Sequence, residues 1–202
     1  MNIKTPLISA LPIIGTIMKD PRWERNDVLE KLTAAAALLE RSLDIRLIPK
    51  KGARLAYAIN GARDKNGVAA VQGGIIQEHG KPHAAGPCAF AADEDITRIV
   101  LTVMKFDPRM RCVATLRFSR NVLIVLESLL LECTSFNPAS EPPGISTMDW
   151  GVASCCKEGV PDVCYDSGSR EKEAIIRFFG EDPIDVTNNI IMISNRIINI
   201  EL

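Results

Sequence analysis

The sequence predicts an α/β protein in three layers, α/β/α, around a mixed and mostly antiparallel sheet. Strand-like and helix-like segments alternate along the chain, the pattern of a sheet covered by helices. Several strand-to-strand links are too short for a parallel crossover, so those neighbours must run antiparallel. Hydrophobic residues make up 47% of the 202 positions, ample material for one core.

The first helix is expected over Asp27 to Ser42. Asp27 reads as its N-cap, with Glu30 returning the hydrogen bond. Val28, Leu29, Leu32, Ala35, Ala36 and Leu39 recur at helical spacing. Residues 1–26 read as an N-terminal arm before a single domain over 27–202. Leu55, Tyr57 and Ile59 alternate as a strand, closed by the Asn60-Gly61 turn. Val68 to Val71 and Ile75 to Gln77 read as short strands, and His79-Gly80-Lys81-Pro82 as a tight turn.

A second helix is expected from Asp93 to Phe106, capped by Asp93 and halted at Asp107-Pro108. Arg111 to Phe118 alternates as a strand, with Arg111, Val113, Thr115 and Arg117 sharing one face. Ser119 caps a helix through Leu131, and Cys133 to Phe136 is a short strand. Asn137 to Ile145 is a proline-rich loop. Ser146-Thr147-Met148-Asp149 reads as a capping box opening a helix to about Lys157. Val163 to Tyr165 and Ala174 to Phe179 are strands around a polar loop, Asp166 to Lys172. Pro183 opens the last helix. The apolar tail Ile190 to Leu202 packs on the domain or on a second copy, which suggests a homodimer.

Charge narrows the function classes. The formal net charge is −1, so no electrostatic footprint suggests general nucleic-acid binding. The apolar stretch Pro6 to Met18 is broken by Pro12 and Gly15, a poor signal peptide and too short for a membrane span. A cytoplasmic protein with a small-molecule partner is expected. The six cysteines read as buried thiols in a reducing compartment, and their spacing does not suit zinc. His79 and His83 flank a turn and read as solvated side chains. No nucleophilic triad, Walker loop, dinucleotide fingerprint or H-E-x-x-H motif is present.

Several segments have a specific order. Asn60-Gly61-Ala62-Arg63 precedes Val68-Ala69-Ala70-Val71. Met104-Lys105-Phe106-Asp107-Pro108 comes next, then Ser146-Thr147-Met148-Asp149-Trp150-Gly151. Pro161 to Gly168, Lys172 to Arg177 and Gly180-Glu181-Asp182-Pro183 follow. Together this ordered set, over about residues 27–188, resembles the ThiN domain of thiamine-phosphate synthases, often fused behind a hydroxymethylpyrimidine kinase in archaea.

The resemblance implies a three-layer α/β/α fold and a reaction. Hydroxymethylpyrimidine diphosphate and thiazole phosphate are joined to give thiamine phosphate, with pyrophosphate leaving. Magnesium is a possible cofactor of that chemistry. Aligned on these motifs, the family's Gly-Arg arginine falls on Gly74. Its basic Arg-His pair falls on Glu94 and Asp95, and a customary glycine on Glu171. The resemblance therefore assigns no catalytic residue here.

Candidate substrate-binding residues are Arg63, Ser146, Thr147, Trp150, Asp166, Lys172, Glu173 and Arg177. Ser146 and Thr147 open helix amides toward a phosphate, or serve as plain caps. Trp150 stacks on a pyrimidine or thiazolium ring, or packs in the core. Lys172 and Arg177 supply phosphate cations; Asp166 or Glu173 holds magnesium or the aminopyrimidine; the alternative is a solvated loop. Arg63 faces the same cleft, or is a surface turn residue. Three functions remain open: a divergent synthase, a thiamine-phosphate-binding sensor or accessory domain, and an interaction subunit that docks on a kinase.

Overall fold

The computed structural model describes residues 21–140, 148–169 and 172–197. The element order is α1 (Pro21–Ser42), β1 (Leu55–Ala58), β2 (Val68–Val71), β3 (Ile75–Glu78), β4 (Lys81–Ala84), β5 (Cys88–Phe90), α2 (Glu94–Phe106) and β6 (Cys112–Arg117). Then follow α3 (Arg120–Ser128), β7 (Cys133–Ser135), α4 (Trp150–Cys155), β8 (Val163–Tyr165), β9 (Ile175–Gly180) and α5 (Pro183–Ile197). Seven strands form one sheet in the order β5-β2-β1-β6-β9-β8-β7, with β3 and β4 as a separate hairpin. The β7–β8 pair is parallel and the other pairs are antiparallel, so the sheet is mixed as expected.

Alternation along the strands sorts side chains onto two faces. Leu55, Tyr57, Ala114, Leu116, Ile176 and Phe178 pack under α1, α3 and α5. Ala56, Ala58, Val113, Cys164 and Phe179 pack under α2 and α4. This is the three-layer arrangement read from the sequence.

Several boundaries differ from the sequence reading, and four of them change the role of named residues. The first helix already runs from Pro21, so Asp27 sits inside it and pairs with Lys31 (3.8 Å) instead of capping. Tertiary partners hold the added turn. Glu24 accepts the backbone N–H of Asn60 (2.6 Å), and the Arg25 guanidinium lies 3.5 Å from the centre of the Phe90 ring.

Lys81 and Pro82 belong to β4, not to a turn. A proline is tolerated there because β4 pairs only with β3. The helix near Met148 starts at Trp150, capped by Asp149, whose side chain accepts the Val152 N–H (2.9 Å). Ser146 and Thr147 lie outside the described residues. Finally, the helix α5 extends to Ile197 and buries Ile190, Ile193 and Ile197 completely in the chain's own core. Residues 190–197 thus pack mainly on the domain itself, while Met192 on the outer side of the helix stays 45% exposed and residues 198–202 lie outside the described residues.

Candidate functional site

The strand ladders bring three arginines to one face at one end of the sheet. Thr115 of β6 is paired with Arg177 of β9, and its N–H donates to the Arg54 carbonyl at 2.8 Å. Arg54, the residue just before β1, thus lies in one row with Thr115 of β6 and Arg177 of β9. Arg117, two residues beyond Thr115, shares the face and pairs with Ile175. The sequence placed Thr115 and Arg117 on one face but gave no sign that Arg54 and Arg177 join them, because register between distant strands is a tertiary property.

Each arginine holds a carboxylate. The Arg177 guanidinium donates to Asp166 Oδ2 at 2.7 Å, with the two side chains only 13% and 5% exposed. Arg117 Nε donates to Glu173 Oε1 at 3.0 Å. Arg54 forms a close ion pair with Asp93, the N-cap of α2. Charge-assisted pairs of this kind fix the orientation of the guanidinium fork. Arg177 Nε is buried and has no hydrogen-bond partner among the described residues.

An aromatic pair flanks Arg177. Its guanidinium carbon lies 5.1 Å from the centre of the Phe136 ring, and Phe136 meets Trp150 edge-on at 6.5 Å. Gly151 makes this possible: a Cβ there would lie 2.2 Å from Phe136 Cε2. Thr102 of α2 anchors the start of α4. Its hydroxyl accepts the Asp149 N–H (2.9 Å) and donates to the Arg98 carbonyl (2.7 Å). Phe136, Arg54, Arg117 and Thr102 were not singled out from the sequence. The alternation of β6 was a signal for Arg117; the other three had none.

The remaining candidates occupy distinct places. Asp166 caps its own loop, accepting the Gly168 N–H at 2.8 Å. Lys172 is exposed at the end of that loop, where its carbonyl accepts the Ser169 N–H (2.8 Å). Glu173 has other partners than Asp166: besides Arg117 it accepts the Lys50 N–H at 2.8 Å. Arg63 is exposed and follows the end of β1 opposite Arg54, so the ladder separates it from the arginine row. Glu94 and Asp95 are exposed in the first turn of α2, paired with Lys65 (3.0 Å) and Arg98 (3.2 Å). His83 stands between Glu40 (3.2 Å) and Glu78 (3.6 Å).

Gly74 explains its own lack of a side chain. Its φ is +76°, and a Cβ would lie 2.6 Å from the Ala53 carbonyl and 3.0 Å from Arg54 Cδ. The stem of Arg54 thus occupies the space beside Gly74.

Beside Arg117 a cavity of about 180 Å³ is lined by Lys50, Gly52 and Gln77 among others. A groove of about 670 Å³ opens at the other end of β6, beside Arg109 and Arg111. None of the candidate residues lines that groove. Its cations pair locally, Lys31 with Asp182 and Arg109 with Asp107. We therefore place the candidate site at the arginine row, although the groove is larger.

The family model for the thiamine-phosphate synthase ThiN matches residues 31–192. The chain belongs to the ThiN family. It is 33% identical over 169 residues to the bifunctional thiamine biosynthesis protein ThiDN of Methanocaldococcus jannaschii, covering 82% of this chain and 40% of that protein. It is 24% identical over 176 residues to the thiamine-phosphate synthase ThiN of Methanothermobacter thermautotrophicus, covering 83% of this chain and 93% of that protein. Among solved structures, the C-terminal domain of protein MJ0236 superposes with a TM-score of 0.81 at 32% identity, over 88% of this chain and 98% of that one. The ThiN match spans the arginine row, the aromatic pair and the Asp166 loop alike.

Proposed function

We propose that this ThiN-family chain is a cytoplasmic thiamine-phosphate synthase, joining hydroxymethylpyrimidine diphosphate to thiazole phosphate. The observation that carries the reading is the row of Arg54, Thr115 and Arg177, with Arg117 beside it and Trp150 close by. Departure of pyrophosphate builds negative charge on the leaving group. Guanidinium forks oriented in advance are suited to hold that charge. Arg54, just ahead of β1, supplies a cation beside Gly74, the position that aligns with the family's arginine. Trp150 is half-buried and is suited to cover one face of a heteroaromatic ring.

Magnesium belongs to this reading as a companion of the substrate's diphosphate. Among the described residues no group of three or more His, Cys, Asp or Glu side chains is arranged to hold an ion. Magnesium is commonly bound through one or two carboxylates plus substrate phosphates. None of the residue roles proposed here depends on it. Among the described residues, no helix is long and apolar enough to cross a membrane.

The alternative is a domain that holds thiamine phosphate without turning over; the carboxylate partners of the three arginines are common to both readings. The test mixes the purified protein with both precursors and magnesium, and follows thiamine phosphate and pyrophosphate. The expected result is turnover that falls on the order of 10²-fold or more in Arg54→Ala and in Arg177→Ala. Calorimetric binding of thiamine phosphate without turnover would move the assignment to the sensor reading. Neither turnover nor binding would sink both.

A further inference from the structure

Cys155 and Cys164 face one another inside the molecule, and the proposed reaction uses neither. Cys155 ends α4, and Cys164 is the middle residue of β8. Their Sγ atoms lie 2.7 Å apart, with Cys164 donating. Cys164 is wholly buried and Cys155 is 7% exposed. We infer that these two residues form an intramolecular disulfide when the chain meets a low-molecular-weight disulfide, and so tie α4 covalently to the sheet.

A disulfide requires Cβ atoms about 3.5–4.5 Å apart and side chains that converge. Two thiols already in contact across the helix–sheet boundary meet the second condition and leave little movement for the first. Cys156, the C-cap of α4, is also buried in the same core, but the thiol that contacts Cys164 is that of Cys155.

The exchange balances as two displacements. The Cys155 thiolate attacks one sulfur of the small disulfide, whose S–S bond breaks and releases one thiol. Cys164 then loses its proton to solvent and attacks Cys155 Sγ, releasing the second thiol. Two protein thiols are oxidised and one small disulfide is reduced.

The surroundings favour Cys155 as the first nucleophile. The hydrogen bond from Cys164 holds its thiol below the ordinary value against the opposing effect of burial, and the charge of Arg177 acts in the same direction. The same hydrogen bond, and burial, push the Cys164 thiol up. Cys155 is also the more exposed of the pair, and α4 has only six residues, so a small local opening admits the oxidant.

The position gives the bond a consequence. Cys164 pairs directly with Arg177 in the β8–β9 ladder, and Trp150 begins the helix that Cys155 ends. Oxidation would clamp the helix bearing Trp150 to the strand beside Arg177. That consequence for ligand binding rests on the proposed function; the disulfide itself does not.

The test uses the full reduced chain, treated with oxidised glutathione, alkylated and mapped by mass spectrometry without reductant. The six thiols should fall to four, with Cys155 and Cys164 in one linked peptide pair. Cys156→Ser should retain the link and Cys155→Ser should lose it. Six alkylatable thiols, a stable glutathione adduct on Cys155, or a link through Cys156 would each overturn the inference. Should Cys155→Ser fail to fold, the unsubstituted chain together with Cys156→Ser decides the matter. The readout is independent of thiamine chemistry, so its failure leaves the proposed function standing.

Discussion

Arg177 and Asp166 stand 2.7 Å apart, a cation and an anion almost sealed from solvent between β9 and the loop that follows β8. The pair orients a guanidinium whose other neighbours are the Phe136 ring and the Ile175 carbonyl (3.2 Å). It leaves one buried donor, Nε, without a partner among the described residues. A buried donor in that state costs about 1–3 kcal/mol. A ligand oxygen that reached it after a small side-chain shift would offset the cost.

Breaking this pair from either side should destabilise the fold strongly, because each single change leaves an uncompensated charge inside. Asp166→Ala and Arg177→Ala should each cost about 3–5 kcal/mol. The double substitution should cost clearly less than the two added together, since it removes both charges. Urea unfolding of the four proteins measures this. Strict additivity would mean that the two side chains do not stabilise one another.

Gly151→Ala should unseat Phe136. The new methyl would lie 2.2 Å from Phe136 Cε2, well inside contact distance. Overpacking of this kind costs about 1–3 kcal/mol. Phe136 links Trp150 to Arg177, so affinity for thiamine phosphate should fall with stability. Ala153→Gly in the same helix serves as the control. It should lose about 1 kcal/mol by helix propensity alone and leave affinity unchanged. Equal affinities for both variants would separate Phe136 from the site.

Asp44 should contribute to the acid limb of the stability curve. Its carboxylate caps the turn at Arg46 and accepts from the Arg46 guanidinium at 2.8 Å, while the same guanidinium donates to the Ile197 carbonyl at 3.0 Å. The hydrogen bond from Arg46 holds the folded-state pKa of Asp44 below its ordinary 3.8, against the effect of burial. The stabilisation is therefore complete above about pH 3.8 and disappears as pH falls through the lower folded value. Asp44→Asn should melt below the parent protein at neutral pH, and the gap should close on acidification below that point. A gap that stayed constant with pH would exclude this carboxylate as the cause.

Much of the fold was legible in the chain because its signals are local. Asp93 followed by Ile96, Ile99, Val100 and Val103 marks a capped amphipathic helix, and α2 is that helix. Val113, Thr115 and Arg117 alternate with Cys112, Ala114 and Leu116, and β6 has those two faces. The readings that differ are the ones set by partners far along the chain. Asp27 looks like a cap until Asn60 and Phe90 support the turn before it. Lys81 and Pro82 look like a turn until Ile75 to Glu78 folds back on them.

The sequence by itself determined the α/β class, the order of most elements and the family, because periodicity, caps and ordered motifs are written in neighbouring residues. Only the tertiary structure decided that Arg54, Thr115 and Arg177 form one row, that Glu173 turns to Arg117, and that Cys155 meets Cys164. Those relationships depend on strand register and on how helices settle over the sheet. A slip of one residue in register would send each side chain to the opposite face, and no local pattern records that choice.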